Sequence, residues 1–182
     1  DLGARLRLSE LAREAGETAE AERVLAEIVA LNPKAHDAWL LLARSAVERG
    51  EWASADKALS ALLGLAVNAP ARSSTSPVNR GESARDHLGL IYAASARVAV
   101  ARGNLVDAVA RMKKAVRAAP RERDHRLGLA SLELARGQAA AANALIESAL
   151  IAWPGDAELQ WLRGVARAAQ GDRAEARCAH RH

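Results

Sequence analysis

A chain of 182 residues that is half hydrophobic can build a sizeable core, yet only 3% of it is aromatic and Phe is absent. That core must be made of Ala, Leu, Val and Ile meeting at close range, which favours packed helices over a sandwich of strands. A net charge of +4 is too mild to point to nucleic acid by itself, a single cysteine, Cys178, excludes an intrachain disulfide, and no run approaches the roughly 18 apolar residues of a membrane span.

Only four of the 26 basic residues are lysine. That arginine and alanine bias resembles GC-rich bacterial coding, with cytoplasm and periplasm equally open as the compartment. The chain begins on Asp1 inside a helical pattern, without Met or a leader, as expected of a segment of a longer protein.

In chain order, a helical pattern starts near Leu2, turns at Gly16 and resumes as far as Pro33. From His36, the apolar residues Trp39, Leu42, Ala43 and Ala46 mark one face of a helix of period 3.6. Gly50 interrupts it, and Ala55, Ala58, Leu59, Leu62 and Leu63 form a second stripe. Two amphipathic helices joined by a glycine turn make an antiparallel hairpin. Such a hairpin is too small to bury its own stripes and requires neighbours of the same kind. Residues from about 70 to 83, with two prolines, Gly81 and several serines, have loop composition. Helix resumes near Ser83, an N-cap with Asp86 three residues on, and runs to Arg102, longer than its counterparts by more than a turn. Further hairpins follow, and a final second helix is expected from about Asp172 to His182.

The hairpins repeat. Gly16, Gly50, Gly103, Gly137 and Gly171 are spaced by 34, 53, 34 and 34 residues, and Ala21, Ala55, Ala108, Ala142 and Ala176 follow with the same spacings. Small residues (Ser9, Ala43, Ala96, Ala130, Gly164) stand seven before each glycine, and Pro33, Pro120 and Pro154 stand 17 after theirs, with Val67 in that place in the second unit. Glycine adopts the left-handed conformation that ends a first helix and reverses the chain. The small residue and the alanine let the two axes approach, Leu25, Leu59, Met112 and Ile146 fill the gaps, and proline stops the second helix.

These columns resemble the tetratricopeptide repeat, a 34-residue helix–turn–helix unit. The resemblance implies an all-α, right-handed superhelical solenoid of about five repeats, at 2–35, 36–69, 89–122, 123–156 and 157–182, in one array with an insertion loop at about 70–83. Trp39, Tyr92 and Trp52 match aromatic positions of the repeat. Arg5 and Arg126 stand where an aromatic or large apolar residue is usual, Glu133 replaces a later aromatic, and Arg163 replaces a leucine. Those units are expected to pack loosely or to lean on a neighbour.

Enzymatic signatures are missing: no HExxH, phosphate loop, CxxC or GxSxG is present. The expectation is a protein without catalysis, cofactor or metal. Cys178, His180 and His182 are suitable metal ligands, but their alternate spacing in a charged terminus argues against a site. His36, His87 and His125 begin helices or flank turns and are expected to be solvated. Arg111, Lys113, Lys114, Arg117, Arg121, Arg123 and Arg126 form the densest basic run. A solvated outer face accounts for it best, with an acidic protein, lipid headgroup or nucleic acid as the alternative partner; no aromatics are interleaved to stack bases.

The resemblance places a partner-binding surface on the concave side, lined by first helices. Its middle row is expected to contain Leu6, Leu40, Ala93, Leu127 and Trp161. One turn later come Glu10, Arg44, Arg97, Ser131 and Val165, and one turn earlier Gly3, Asp37, Leu90, Asp124 and Glu158. Such a groove, apolar along its middle with a few opposed charges, suits an extended peptide, a helix or a subunit of another protein. The lysine–asparagine clamp with which some tetratricopeptide domains grip chaperone tails is absent, Trp161 is the expected aromatic anchor, and Trp39, Trp52 and Trp153 are assigned to packing. The leading expectation is a scaffold or adaptor within a complex. The alternative is a regulatory or substrate-presenting module of a larger envelope-polysaccharide or signalling enzyme.

Overall fold

The computed structural model describes residue 7, residues 18–68 and residues 77–179, and among these it contains eight helices and no strand. They are α1 (Thr18–Leu31), α2 (His36–Glu48), α3 (Trp52–Asn68), α4 (Pro77–Ala101), α5 (Leu105–Ala118), α6 (Arg123–Ala135), α7 (Ala139–Ala152) and α8 (Ala157–Ala179). Each packs against the next in the chain, and α6 also touches α8. The result is a right-handed superhelical solenoid of helix–turn–helix hairpins, in which α2, α4, α6 and α8 are the first helices of their units.

Three turns share one chemistry. Gly50, Gly103 and Gly137 have φ of 73°, 74° and 74°, a conformation that costs any residue with a Cβ. Just beyond them the amides of Glu51, Asn104 and Gln138 donate to the carbonyls of Ala46, Ala99 and Glu133 at 2.8, 2.9 and 2.7 Å, closing each first helix with a Schellman bond. The prolines set the length of the second helices. α1, α5 and α7 are each 14 residues long and end two residues before Pro33, Pro120 and Pro154, whereas α3, with Val67 in the equivalent place, runs on to 17 residues.

There is one apolar cluster per junction instead of a single centre. Leu25 and Ile28 of α1 meet Ala38 of α2. Ala43 and Leu62 meet Ile91 and Val98 of α4. Ala96 and Met112 meet Leu129 of α6, and Ala130 and Ile146 meet Leu159 and Leu162 of α8. The small-residue pairs Ala43–Ala55, Ala96–Ala108 and Ala130–Ala142 are all buried, as close approach of the hairpin axes requires. Gly89, at the junction of α4 with α5 and α6, admits no side chain: an added Cβ would lie 2.8 Å from Cβ of Ala119 and 3.1 Å from Cε1 of His125.

The structure departs from expectation in two places. Residues 77–83, expected as loop, form the first turns of α4, which starts at Pro77 instead of Ser83 and reaches 25 residues. Proline is well suited to a first helical turn, where its missing N–H loses no bond. Second, Gly171 ends no helix: α8 continues through it for 23 residues to Ala179, so the expected second helix from Asp172 does not separate. Reversal is rewarded only when the second helix has something to bury. Where Leu25, Leu59, Met112 and Ile146 stand in other units, this one has His180. Gly164 accordingly faces open space. The first-unit residues Gly3, Arg5, Leu6, Ser9, Glu10 and Gly16, the segment 69–76, and His180 and His182 lie outside the described residues.

Candidate functional site

The substituted positions of the repeat explain how polar residues hold this stack. Trp39 Nε1 donates to the carbonyl of Pro33 at 3.0 Å, Arg126 Nε to that of Pro120 at 3.1 Å, and Gln160 Nε2 to that of Pro154 at 2.8 Å. In three of its units the column read as aromatic therefore supplies an N–H donor to the preceding turn, Tyr92 being the member without one. Arg126 also lies over the Trp153 ring, 5.6 Å from its centroid. Glu133 leans on its neighbours, as expected: it is only 3% exposed and pairs with Lys113 of α5 at 2.9 Å and with Arg136 at 3.3 Å. Arg163 likewise reaches Glu147 of α7 at 3.8 Å.

Of the residues expected on the concave face, Leu40, Leu90, Trp161 and Val165 are exposed by 42, 56, 67 and 39%. Val47 and Val100, at 40% each, join them; they stand seven residues after Leu40 and Ala93, a helical repeat that would have revealed them. Two members of the expected row differ. Ala93 is buried against the α5–α6 cluster, because its short side chain does not clear the neighbouring helices. Leu127 is half-buried on the cluster beneath α8. Asp37, Arg44, Arg97, Asp124 and Ser131 are exposed. Arg44 pairs with Glu48 at 2.9 Å, and Ser131 Oγ donates to the carbonyl of Leu127 at 2.9 Å. Trp39, Trp52 and Trp153 pack on the apolar clusters, leaving Trp161 the exposed indole.

A dense ion cluster joins the starts of α6 and α8. Arg123, first residue of α6, donates to Asp156 and pairs with Glu158 at 2.7 Å and Asp124 at 2.9 Å. Asp156 also caps α8, accepting the amides of Glu158 and Leu159 at 3.0 Å each. The Arg123 bond, reinforced by those amides, holds the Asp156 carboxyl far below the usual carboxylate range. At the start of α2, His36 meets His87 of α4, their Nε2 atoms 3.3 Å apart and ring centroids 5.0 Å apart. His125 is buried, and its Nδ1 has no partner among the described residues. None of the three is the solvated residue expected, because each sits where one hairpin abuts the next.

Burial, then the charge of His87, lowers the His36 pKa below 6.5, while Asp37 opposes them. A histidine depressed in the folded state takes up its proton more readily when unfolded. Stability is therefore full above about 6.5 and falls as pH drops through the folded-state value, whereas the Asp156 contribution is lost only below about 3.8. The thermal midpoint should decline between pH 7 and 5.5, and His36→Asn should flatten that limb. An unchanged slope in the variant would rule the histidine pair out.

The basic run dissolves into separate roles. Arg111 binds Asp56, Ser95 and Asp107; Lys113 binds Glu133; Arg123 and Arg126 serve as above. Among the described residues no group of three or more His, Cys, Asp and Glu is placed to hold a metal, and no helix is long and apolar enough to cross a membrane.

Glycine-closed hairpins, small-residue contacts and a cluster at every junction define a helical-repeat protein with exposed apolar side chains on its first helices α2, α4 and α8. The chain belongs to the tetratricopeptide-repeat family: profiles of that repeat match residues 2–74, 93–157 and 129–180. In three dimensions it is similar to MamA, at 15% identity over 96% of this chain and 85% of that one, with a TM-score of 0.73. It is similar to YrrB, described as a TPR protein with an unusual peptide-binding site, at 15% identity over 95% of this chain and 79% of that one, TM-score 0.69. The TPR2B domain of yeast Sti1 in complex with pHsp70 is a third likeness, at 16% identity over 72% of this chain and 95% of that one, TM-score 0.53. Identities this low show the fold alone. Comparison with curated proteins yields no sequence match.

Proposed function

We propose that the array is a non-catalytic scaffold or adaptor that holds another polypeptide, as an extended peptide or a helix, along a concave side lined by its first helices α2, α4, α6 and α8. The observation that carries this is the set Leu40, Val47, Leu90, Val100, Trp161 and Val165, exposed side chains on the first helices α2, α4 and α8, with the half-buried Leu127 of α6 between the last two. Large apolar residues gathered on one face mark a contact surface where scattered ones do not. Asp37, Arg97 and Asp124 flank them with charges of both signs, which sets register more than affinity. YrrB and the Sti1 domain, similar in fold, have names that record peptide binding and a complex with another protein, which supports polypeptide as the class of partner. A photo-crosslinking residue at position 90 should capture a polypeptide from source extract, and one at position 151, on the outer layer, should not. Equal capture at both positions would sink the proposal. Trp161→Ala should weaken capture at position 90 by about ten-fold or more, the range of an aromatic anchor.

A further inference from the structure

The N-terminal extension of α4 builds something that no other hairpin has. α2 and α6 are 13 residues long and α4 is 25. The additional turns rise beside the C-terminal end of α5 and leave a cleft of about 860 Å³ between them. Arg85, Lys114, Arg117 and Arg121 line it against two carboxylates, Asp86 and Glu122, so its charge is positive. Leu88 and Tyr92 supply apolar surface. Arg85 and Arg117 are exposed and have no ion-pair partner among the described residues. His87 fixes the extension from its other side by its contact with His36 of α2.

We propose that this cleft docks an acidic polypeptide segment carrying an aliphatic side chain, the aliphatic group on Leu88 and the carboxylates on Arg85 and Arg117. The volume is that of a ligand-sized pocket and not of a flat patch, and paired arginines favour carboxylates through forked hydrogen bonds. Nucleic acid fits less well. The one aromatic face, Tyr92, is covered by the Lys114 ammonium 5.6 Å from its centroid, which leaves no platform for a base. A bilayer surface does not enter a concave cleft. The site is separate from the inner groove and stands independently of it.

The test is fluorescence anisotropy with a short fluorescein-labelled peptide of Glu-Glu-Leu repeats, using the whole chain. Saturable binding should weaken as salt rises from about 50 to 200 mM. The double variant R85E/R117E, with an unchanged helical circular dichroism spectrum, should weaken it at least about ten-fold, equivalent to about 1.4 kcal/mol. Trp161→Ala should leave it within about two-fold. Absence of saturable binding at low salt, or indifference to the double variant, overturns the proposal. So does loss with Trp161→Ala, which would put the peptide in the inner groove. Tighter binding of a single-stranded oligonucleotide or of phosphatidylglycerol vesicles, abolished by the same double variant, would replace the polypeptide by that partner.

Discussion

Leu62→Ala is expected to destabilise the array by about 3–4 kcal/mol and to split its unfolding into two transitions. Leu62 is fully buried on α3, packed with Leu59 of its own helix and against Ile91 and Val98 of α4. That cluster joins the hairpins on either side of the insertion. In a solenoid each unit touches only its neighbours, so cooperativity passes through every junction in series. A cavity at this one should let the N-terminal helices unfold separately from α4–α8. Tryptophan positions make the result readable: Trp39 and Trp52 lie on one side, Trp153 and Trp161 on the other. Urea titrations of single-tryptophan versions should give coincident midpoints in the parent and separated midpoints in the variant. A single shared transition shifted by less than about 1 kcal/mol would mean that the junction is held by something other than this cluster.

The architecture was legible because its columns answer to backbone needs that few residues meet. Gly50, Gly103 and Gly137 read correctly as turns, and Pro33, Pro120 and Pro154 as stops, from identity and spacing alone. Gly171 shows where that logic ends. The same residue in the same column stays helical, since a turn forms only when the segment after it has a stripe to bury, and RAEARCAHRH has none. Polar substitutions were legible only in part. That Glu133 depends on α5 could be anticipated, whereas Arg126 and Gln160 could not be seen to replace the indole N–H of Trp39. The shared feature is a donor aimed at a proline carbonyl in the preceding turn, a relation of geometry and not of hydrophobicity.

The inner face divided in the same way. Leu40, Leu90 and Trp161 are exposed as their helical phase implies, but phase alone does not tell how far a short side chain such as Ala93 sinks between its neighbours. In the basic run, sequence gave the number of cations and concealed their separate uses. Partners such as Asp56 and Asp156 stand 55 and 33 residues away from Arg111 and Arg123. The insertion hid most. Its composition reads as loop, while from Pro77 onward it is the start of α4, a helix whose later residues Arg85 to Tyr92 line one wall of a cleft.

Arg111→Ala should have the second large effect, about 2–3 kcal/mol, by removing the polar counterpart of the Leu62 cluster. Ser95 stands on α4 where the neighbouring hairpins have Leu42 and Leu129, and it is fully buried. Arg111 fills that space from α5, donating to the Ser95 hydroxyl and to Asp56 of α3, and pairing with Asp107 at 2.7 Å. Asp56 accepts also from Arg102 at 2.6 Å. The side chains of Arg111 and Asp56 are each 20% exposed, so the cost lies below the roughly 3–5 kcal/mol of breaking a fully buried pair. Removing the guanidinium strands the Ser95 hydroxyl and leaves Asp56 with Arg102 alone. Arg111→Lys should recover little, because a single ammonium does not reproduce the fork that reaches serine and carboxylate together. Ser95→Leu combined with Arg111→Met should recover more, since apolar groups of similar volume replace such networks at small cost. Urea midpoints with and without about 0.5 M NaCl separate this account from a surface pair. A partly buried network keeps most of its contribution in salt; if the difference between Arg111 and Ala vanished there, the bridge between hairpins would be no more than a solvated contact.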